Sequence, residues 1–341
     1  MQRKKTKLFL AVCPKVFFLI LGICFSLPLP AAYGAQMLVP VGKTVGVTMD
    51  TKGLLVLGTG SVDGENNQVS TPCKGILQAG DLLLEANGAV LENKEMFMET
   101  VEESEGKAVS LKVERNGREK EVSVVPAYSP VDQTYKIGAW IRDSIQGIGT
   151  VTFYDPKNGT FGALGHGVYD VDTDGLMEIR EGSLVSVELT EIVRGQKGQA
   201  GELMGKIDLT EKIAHIEKNT EAGIFGSVKT DVFSGEALPV AARAEVKKGK
   251  AVMLSDLEGK VKAYDIEIVS VERSGGKAHK DMVIRITDER LLKLTGGIVQ
   301  GVSGSPILQE GKLVGAVTHV LVNDPTRGYG VFIENMLVSV S

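Results

Sequence analysis

The sequence from residue 135 onward is a succession of short apolar segments separated by glycine, asparagine and aspartate. The clearest segments are Ile148–Tyr154, Ser183–Val193, Val261–Val271 and Met282–Thr287. Such segments favour strands, and the residues between them favour turns. Because the 341-residue chain also contains 41 glycines and few segments with helical spacing, we predict a mainly β protein. A β-barrel-type domain is expected over residues 131–341.

The segment before residue 127 has its own order of strands and turns. Its predicted strands are Val45–Met49, Leu54–Gly58, Val109–Arg115 and Lys120–Val125. A turn at Asp50–Gly53 is expected to join the first two strands, and Asn116–Gly117 to join the last two into a hairpin. Between the two pairs, Asn93–Ser104 has helical spacing with Asn93 as a candidate N-cap.

Gly75–Gly88 adds a short helix, a glycine stop, a strand and an Asn-Gly turn to this order. Residues 37–127 together resemble a PDZ domain of the kind found with bacterial proteases. A PDZ domain adds an extended peptide to a sheet edge, so the resemblance implies a peptide ligand, which could be internal to the chain. Its carboxylate-binding loop would be formed by Thr44, Val45, Gly46 and Val47. A strand entry with a glycine bulge is the alternative interpretation of that loop.

The N-terminus has the layout of an export signal. A basic stretch, residues 1–7, precedes the apolar stretch Leu8–Leu29 and the small-residue segment Ala31–Ala35. Residues 1–35 are therefore interpreted as a signal peptide or, if uncleaved, as a membrane anchor. Either outcome places the remaining chain outside the cytoplasm.

Charge and cysteine content exclude several classes of function. The net charge of −5 is mild, and nothing indicates binding to nucleic acid. Cys13 and Cys24 lie in the leader, so Cys73 is left alone, without an internal disulfide or a thiolate zinc site. No metal and no organic cofactor are predicted.

Gly301–Leu308 is the strongest chemical signal in the chain. It places Ser303 in a glycine-flanked turn ahead of an apolar strand, the Gly-x-Ser-Gly-x-Pro arrangement by which trypsin-like proteases present their nucleophile. By the same analogy, the N–H groups of Gly301 and Ser303 would form an oxyanion hole. A plain turn serine is the alternative, and Ser305 is a rival nucleophile that lacks the following glycine.

A serine nucleophile needs a histidine base, and the chain has four histidines. His166 lies between glycines in a tight turn and is the candidate base. His215 and His279 lie in charged, lysine-bearing surroundings and are expected at the surface. By comparison with trypsin-like enzymes, Thr318 and His319 would line the substrate cleft.

An acid that orients the histidine is the third expected member. Asp288 ends an apolar strand and is the favoured candidate, whereas Asp170, Asp172 and Asp174 follow His166 in a run typical of a solvated loop.

The primary specificity pocket would be walled by Gly297 and Ile298, again by comparison with trypsin. Because neither position carries an acid, we expect no preference for cleavage after lysine or arginine.

A more specific resemblance extends over nearly the whole chain. The segments that carry it are Gly138–Ser144, Gly147–Thr150, Thr152–Pro156, Gly162–His166, Thr295–Pro306, Gly315–Val320, Asn323–Thr326 and Gly328–Gly330. They resemble the SpoIVB peptidases, serine proteases of sporulation with an N-terminal membrane-targeting segment and a PDZ domain. The resemblance implies a catalytic His166, Asp288 and Ser303.

The resemblance also implies a biological role. The protease would be made in the forespore and act in the space between two membranes, where it cleaves itself and a membrane-bound regulator of an intramembrane metalloprotease. That metalloprotease then processes pro-sigma-K. Two alternatives remain open: an HtrA-like quality-control protease, although those enzymes usually place the PDZ domain last, and a catalytically silent PDZ adaptor.

Overall fold

The computed structural model describes residues 36–64, 68–170, 175–228, 232–273 and 280–339. The predicted leader at residues 1–35, the candidate acids Asp172 and Asp174, and His279 lie outside these ranges. The chain is mainly β, as predicted, with two barrels and a PDZ-like unit. Within the same ranges, no helix combines the length and apolarity needed to span a membrane.

Two strands begin the described chain, β1 (Met37–Pro40) and β2 (Thr44–Thr59). The segment predicted as a PDZ domain, which we call the PDZ-like unit and take as residues 54–142, contains the second half of β2 and the beginning of a later strand, β11 (Ala139–Asp155). Between them lie the strands β3 (Val62–Asp63), β4 (Val69–Ser70), β5 (Leu82–Ala86), β6 (Ala89–Val90), β7 (Val109–Arg115), β8 (Arg118–Val124), β9 (Ala127–Ser129) and β10 (Thr134–Lys136), with the helix α1 (Lys94–Glu103) between β6 and β7. Asn93 caps α1, since its side chain accepts a hydrogen bond from the N–H of Met96 at 2.9 Å.

The first barrel is a closed ring of six strands. Its later strands are β11 (Ala139–Asp155), β12 (Thr160–Ala163), β13 (Ile179–Val193), β14 (Gly201–Thr220) and β15 (Gly223–Ser227), with the short β16 (Leu238–Pro239) pairing with β1 outside the ring. The ring runs β2-β11-β12-β15-β14-β13 and returns to β2. All of these pairings are antiparallel, as expected for alternating strands that bury one face in a barrel.

The second barrel is built from the C-terminal part of the chain. Its elements are β17 (Gly249–Ser255), β18 (Lys262–Val271), β19 (Met282–Ile286), α2 (Glu289–Thr295), β20 (Val299–Gln300), β21 (Pro306–Gln309), β22 (Lys312–Val320), β23 (Arg327–Phe332) and α3 (Ile333–Val338). Its closed ring runs β17-β18-β19-β23-β22-β21, whereas β20 pairs with β14 of the first barrel.

An apolar layer joins the two barrels. Leu38 of β1 and the first-barrel residues Phe153 and Phe225 are buried in one cluster with residues of the second barrel. Val331 and Met336 are among the partners, and both are fully buried. Because this layer is continuous, the loops of the two barrels at its edge are held in fixed relation to each other.

The PDZ-like unit is inserted into the first barrel, which corrects the domain ranges expected from the sequence. Residues 44–51 of β2 pair with β11 on one edge and β13 on the other, so they are barrel residues and not PDZ residues. The turn expected at Asp50–Gly53 does not interrupt the strand, because β2 runs from Thr44 to Thr59 with only a register shift against β11 at this point, where Leu55 pairs with Arg142 and Asp50 with Ser144.

The same pairing displaces the predicted carboxylate-binding loop. Thr44, Val45, Gly46 and Val47 are buried within β2, and neighbouring strands occupy both of their edges. A peptide could not be added as a strand there. The sequence suggested that a domain starts at this point. In the structure, the first half of β2 belongs to the barrel and its second half to the inserted unit, a division that local sequence order does not show.

Candidate active site

A cleft of about 540 Å³ lies between the two barrels. Residues of the first barrel on its walls include Val47, Leu164 and His166, and those of the second include Ser303 and His319. The described part of the lining contains no aspartate, glutamate, lysine or arginine. Its walls are therefore apolar around a few polar groups, which is typical of a substrate-binding site.

The first barrel holds the loop that carries Ser303. The side chain of Thr150 donates to the carbonyl of Gly301 at 2.9 Å, and its N–H donates to the carbonyl of Ser303 at 2.9 Å. Two residues further along β11, the side chain of Thr152 donates to the carbonyl of Gly304 at 2.7 Å. Both threonines are fully buried on β11. These hydrogen bonds fix the direction of three peptide groups in the loop.

Gly304 allows the loop to come this close to the first barrel. A Cβ at this position would lie 2.0 Å from the carbonyl oxygen of Thr150 and 2.5 Å from the nitrogen of Leu164. Its φ of +98° is also one that side-chain-bearing residues rarely adopt. Glycine is therefore required here for both reasons.

The loop presents one unoccupied N–H group. The N–H groups of Val302, Gly304 and Ser305 donate to backbone carbonyls. The N–H of Ser303 donates to no carbonyl or side chain in the described ranges, although the peptide groups on both sides are held. A fixed, unused donor beside a serine hydroxyl is what an oxyanion hole requires. Gly301, the other predicted donor, also lines the cleft, with a φ of +100°.

The hydroxyl of Ser303 donates to the carbonyl of Thr318 at 2.6 Å. This bond must be released before the hydroxyl can donate its proton to a base. The rival Ser305 is fully buried, and its hydroxyl has no hydrogen-bond partner among the described residues. Because a nucleophile must be accessible to substrate, the geometry favours Ser303.

His166 enters the cleft from a tight turn after β12. Leu164 and Gly165 both have positive φ, +69° and +70°, and a positive φ at a leucine is a sign of local strain. The Nδ1 atom of His166 lies 2.8 Å from the carbonyl oxygen of Gly167. A proton on Nδ1 donates to this oxygen and leaves Nε2 as the acceptor that a general base needs. Burial lowers the pKa of His166, partly offset by the bond to Gly167, so the imidazole is neutral at pH 7.

A second imidazole lies against the first. The ring centroids of His166 and His319 are 4.6 Å apart, with 37° between the ring planes. The structure therefore places His319 and its neighbour Thr318 on the cleft wall, next to the candidate base. His215, in contrast, is exposed on β14.

Asp288 lies at the start of helix α2 in the second barrel. It is the N-cap of α2, where its carboxylate accepts hydrogen bonds from the N–H groups of Arg290 and Leu291 at 2.9 and 3.2 Å. The guanidinium of Arg290 also binds it at 2.9 Å and lowers the pKa of Asp288 to about 2. None of its described contacts is with His166, so the sequence-based assignment of this acid stays a prediction. An acid at a strand end is also the pattern of a helix N-cap, and here the cap is what forms.

The remaining predicted residues divide between the cleft and its surroundings. Asp170 is buried and pairs with Arg142 of β11 at 2.5 Å. Ile298 lines the cleft as predicted, whereas Gly297 packs behind it, where an added Cβ would lie 2.3 Å from the carbonyl oxygen of Pro325. Within the described ranges, no three His, Cys, Asp or Glu residues are grouped as a metal site would require.

Sequence analysis missed the two threonines of β11. Thr150 and Thr152 alternate on one face of the strand, which identifies them as buried polar residues in need of partners. That pattern does not reveal their hydrogen-bond partners, which are carbonyl groups 151 and 152 residues later in the chain.

Comparison with solved structures returns PDZ domains and proteases. The PDZ domain of an SdrC-like protein from Listeria monocytogenes is 20% identical, covering 26% of this chain and 87% of its own, with a TM-score of 0.22. The Rv3671c protease of M. tuberculosis in its active form is 15% identical, covering 58% of this chain and 75% of its own, with a TM-score of 0.34. The HtrA-type protease AlgW with a decapeptide is 9% identical, covering 87% of this chain and 63% of its own, with a TM-score of 0.36.

Comparison with family profiles gives the assignment. The profile of the SpoIVB peptidase S55 family matches residues 133–337, which include β11, both candidate catalytic residues and all of the described cleft lining except Val47. The match covers more than half of the chain and reaches from the end of the PDZ-like unit into α3. The chain therefore belongs to the SpoIVB peptidase family of serine proteases.

Proposed function

We propose that this chain is an exported serine endopeptidase in which Ser303 is the nucleophile and His166 the general base. The observation that carries the proposal is the convergence of three groups in one cleft: the Ser303 hydroxyl, the His166 imidazole and the unused N–H of Ser303. Nucleophile, base and oxyanion donor are the minimum set for cleavage of a peptide bond.

The proposed reaction begins when the Ser303 hydroxyl exchanges one hydrogen-bond acceptor for another. The carbonyl of Thr318 accepts the hydroxyl in the resting structure. A substrate N–H that donates to the same carbonyl would compete for it and release the hydroxyl toward Nε2 of His166. Binding of an extended substrate along β22 would therefore also activate the nucleophile.

The chemical steps then follow the order of serine catalysis. Ser303 Oγ attacks the carbonyl carbon as its proton moves to Nε2 of His166, and the N–H groups of Ser303 and Gly301 bind the oxyanion. The tetrahedral intermediate collapses, and His166 gives the proton to the leaving amine. Water repeats the sequence on the acyl-enzyme. The Gly167 carbonyl, which accepts from Nδ1, holds the imidazole in the required tautomer.

The proposed substrates are proteins, including this chain itself and a membrane-bound regulator of an intramembrane metalloprotease that leads to pro-sigma-K processing. Family membership supports this role. We also propose that the enzyme is exported by residues 1–35, made in the forespore and active between two membranes, where an uncleaved leader would keep it membrane-associated. The uncharged described lining of the cleft supports cleavage after apolar residues.

The test compares the full-length parent with Ser303→Ala in detergent micelles. Each is incubated with the other as substrate, with the membrane-bound regulator, and with unfolded casein, and the cleavage sites are mapped by mass spectrometry. We expect the parent to cleave itself and the regulator after apolar residues while leaving casein largely intact. Broad cleavage of casein would favour quality control instead, and cleavage after lysine and arginine would contradict the assigned pocket.

A further inference from the structure

The carbonyl group of Gly167, which faces Nδ1 of His166, is itself held in place by Asn219. The Gly167 oxygen lies 2.8 Å from Nδ1 and belongs to the peptide unit that links Gly167 to Val168. The N–H of the same unit is that of Val168, and it donates to Oδ1 of Asn219 at 2.9 Å. One peptide unit therefore joins the Asn219 side chain to the imidazole. Any rotation of this unit would move the acceptor that faces Nδ1.

The side-chain amide of Asn219 is fixed by three hydrogen bonds. Besides the contact of Oδ1, Nδ2 donates to the carbonyl of Val168 at 2.8 Å and to that of Met177 at 3.0 Å. An amide has one acceptor oxygen and two N–H donors, so a flipped side chain would place its oxygen against two carbonyl oxygens. The three contacts therefore determine that the oxygen of Asn219 faces the N–H of Val168.

A β-bulge in β14 brings Asn219 to this position. Ahead of the bulge, Ala214 and Ile216 alternate as buried residues. Ile216 and Lys218 then pair with consecutive residues of β15, so β14 advances by two residues where β15 advances by one. Such a step reverses the alternation of side chains, and Asn219 is half-buried whereas Lys218 is exposed. Bulges often re-aim a side chain next to a functional site.

The end of β14 also packs directly against the residue that follows His166. The N–H of Gly167 donates to the carbonyl of Glu221 at 3.1 Å. An added Cβ at Gly167 would lie 2.6 Å from the carbonyl oxygen of Thr220 and 2.5 Å from the side chain of Leu176. Glycine is therefore required at position 167 by the available space. Residues 219–221 hold both of the N–H groups that follow the base.

The chain of hydrogen bonds favours one tautomer of His166. Hydrogen bonds in series polarise one another, so the bond from Val168 to Asn219 leaves more negative charge on the Gly167 oxygen. That oxygen becomes a better acceptor for a proton on Nδ1. The favoured tautomer leaves Nε2 unprotonated, which is the form that can accept the proton of Ser303. A carboxylate that binds Nδ1 selects the same tautomer in a Ser-His-Asp triad.

We propose that Asn219 is a positioning residue for the base, and that it acts through the peptide unit between Gly167 and Val168 to hold the proton of His166 on Nδ1. Asn219 is not part of the described lining of the cleft, so its effect on the reaction is exerted through His166. The proposal rests on the proposed function only in that His166 is taken as the general base.

The tautomer is measured without catalysis. The full-length Ser303→Ala chain, which avoids self-cleavage, is prepared in detergent micelles with isotope-labelled histidine. Nitrogen NMR spectra are recorded at about pH 8, where an ordinary imidazole is neutral, and His166→Gln in the same background identifies the signals of the base. We expect the proton of His166 on Nδ1. A proton on Nε2, or an even mixture, would overturn the proposal whether or not any variant at Asn219 folds.

Asn219→Ala removes the acceptor of the Val168 N–H. The share of the form protonated on Nδ1 should fall, and labelling of Ser303 by a fluorophosphonate in the otherwise unchanged chain should slow about tenfold. Asn93→Ala is the matched control, because Asn93 also accepts one backbone N–H, that of Met96 at 2.9 Å, but lies in the PDZ-like unit. It should lower stability and change neither the tautomer nor the labelling rate. A folded Asn219→Ala protein with the tautomer and rate of the parent would show that the contact is structural only.

Asn219→Asp is the second variant. It keeps an oxygen for the N–H of Val168 but places its other oxygen against the carbonyls of Val168 and Met177. We expect a less stable protein that retains the tautomer of the parent, since a charged acceptor strengthens the bond to the N–H. Loss of the tautomer in this variant would assign the effect to the two donors of Asn219 and contradict the proposal.

The two readouts separate this proposal from the proposed function. If the parent does not label but its tautomer depends on Asn219, the protease assignment fails and the positioning contact stands. If the parent labels and its tautomer is independent of Asn219, the protease assignment stands and the positioning role is wrong.

Discussion

The two barrels differ in how the chain builds them. The second forms its ring from strands that all lie between Gly249 and Phe332. The first needs β2 and β11 as neighbours, although the PDZ-like unit separates them in sequence. The difference extends to chemistry: the second barrel carries the serine, whereas the first supplies the histidine and the hydrogen bonds that hold the serine loop. Stability and catalytic geometry should therefore respond to different substitutions.

The largest effect is expected at the contact between the barrels. Gly304→Ala would place a methyl group 2.0 Å from the Thr150 carbonyl oxygen and force the loop away. We predict that labelling of Ser303 by a fluorophosphonate falls by at least about 100-fold, because small displacements of reacting groups are costly. Gly311→Ala is the control: it also has a positive φ, +76°, but an added Cβ meets nothing within 4 Å. It should lower stability by about 1 kcal/mol and leave labelling unchanged. Equal labelling of Gly304→Ala and the parent would show that the barrels do not share the site.

A smaller effect is expected from the first-barrel side of the same contact. Thr150→Val keeps the shape of the side chain but removes the donor to the Gly301 carbonyl. We predict about a tenfold slower labelling rate, which corresponds to one hydrogen bond of about 1.4 kcal/mol. Thr190→Val, at an exposed threonine on β13, should label as the parent does. If Thr150→Val also matches the parent, the loop is oriented by the second barrel alone.

The pH dependence of labelling tests whether His166 of the first barrel is the base. Burial lowers the pKa of His166 from 6.5, since it disfavours the imidazolium. The neutral base therefore persists to lower pH than for an ordinary histidine, and the labelling rate should fall with a midpoint below pH 6.5. A pH–rate profile from pH 4 to 8 measures the midpoint. A midpoint above 6.5 would contradict the account and indicate a carboxylate beside the imidazole.

The smallest effect on chemistry is expected at Asp288. Asparagine is an equally good N-cap, so Asp288→Asn should keep α2 and label within about threefold of the parent. The folded pKa of about 2 lies below the ordinary 3.8, so the carboxylate stabilises the fold above pH 4 and loses this effect as the pH falls toward 2. Because Arg290 is exposed, solvent screens its ion pair with Asp288, and we expect the variant to be only about 1 kcal/mol less stable than the parent at pH 7. This difference in the free energy of unfolding should shrink as the pH falls.

Chemical denaturation at several pH values measures that difference. A folded Asp288→Asn protein whose labelling falls by orders of magnitude would restore this residue as the catalytic acid. The same outcome would require a rearrangement of α2, because the carboxylate is held there by Arg290 and two backbone N–H groups.

Local patterns predicted local structure well. The hairpin of β7 and β8 and the Asn93-capped helix α1 follow from alternation, an Asn-Gly turn and a capping residue, which all act within a few residues. The Gly-x-Ser-Gly-x-Pro segment and the glycine-flanked His166 likewise identified two residues that the fold brings to one cleft.

The pairing of strands that are distant in sequence could not be predicted from such local patterns. The split of β2 between a barrel and the PDZ-like unit depends on partners about a hundred residues away, such as Gly147 opposite Val47. Asp288 shows a second limit: one sequence pattern fits both a helix cap and a catalytic acid, and the contacts that the structure shows are those of the cap and of Arg290.

The central claim is that a serine of the second barrel is activated by a histidine of the first. The most direct measurement is fluorophosphonate labelling of the full-length chain, with the adduct located by mass spectrometry, in the parent and in Ser303→Ala, His166→Ala and Ser305→Ala. We predict an adduct on Ser303 in the parent and in Ser305→Ala, none in Ser303→Ala, and a severe loss in His166→Ala. Labelling that persists in His166→Ala at the parent rate, or that maps to Ser305, would contradict the account.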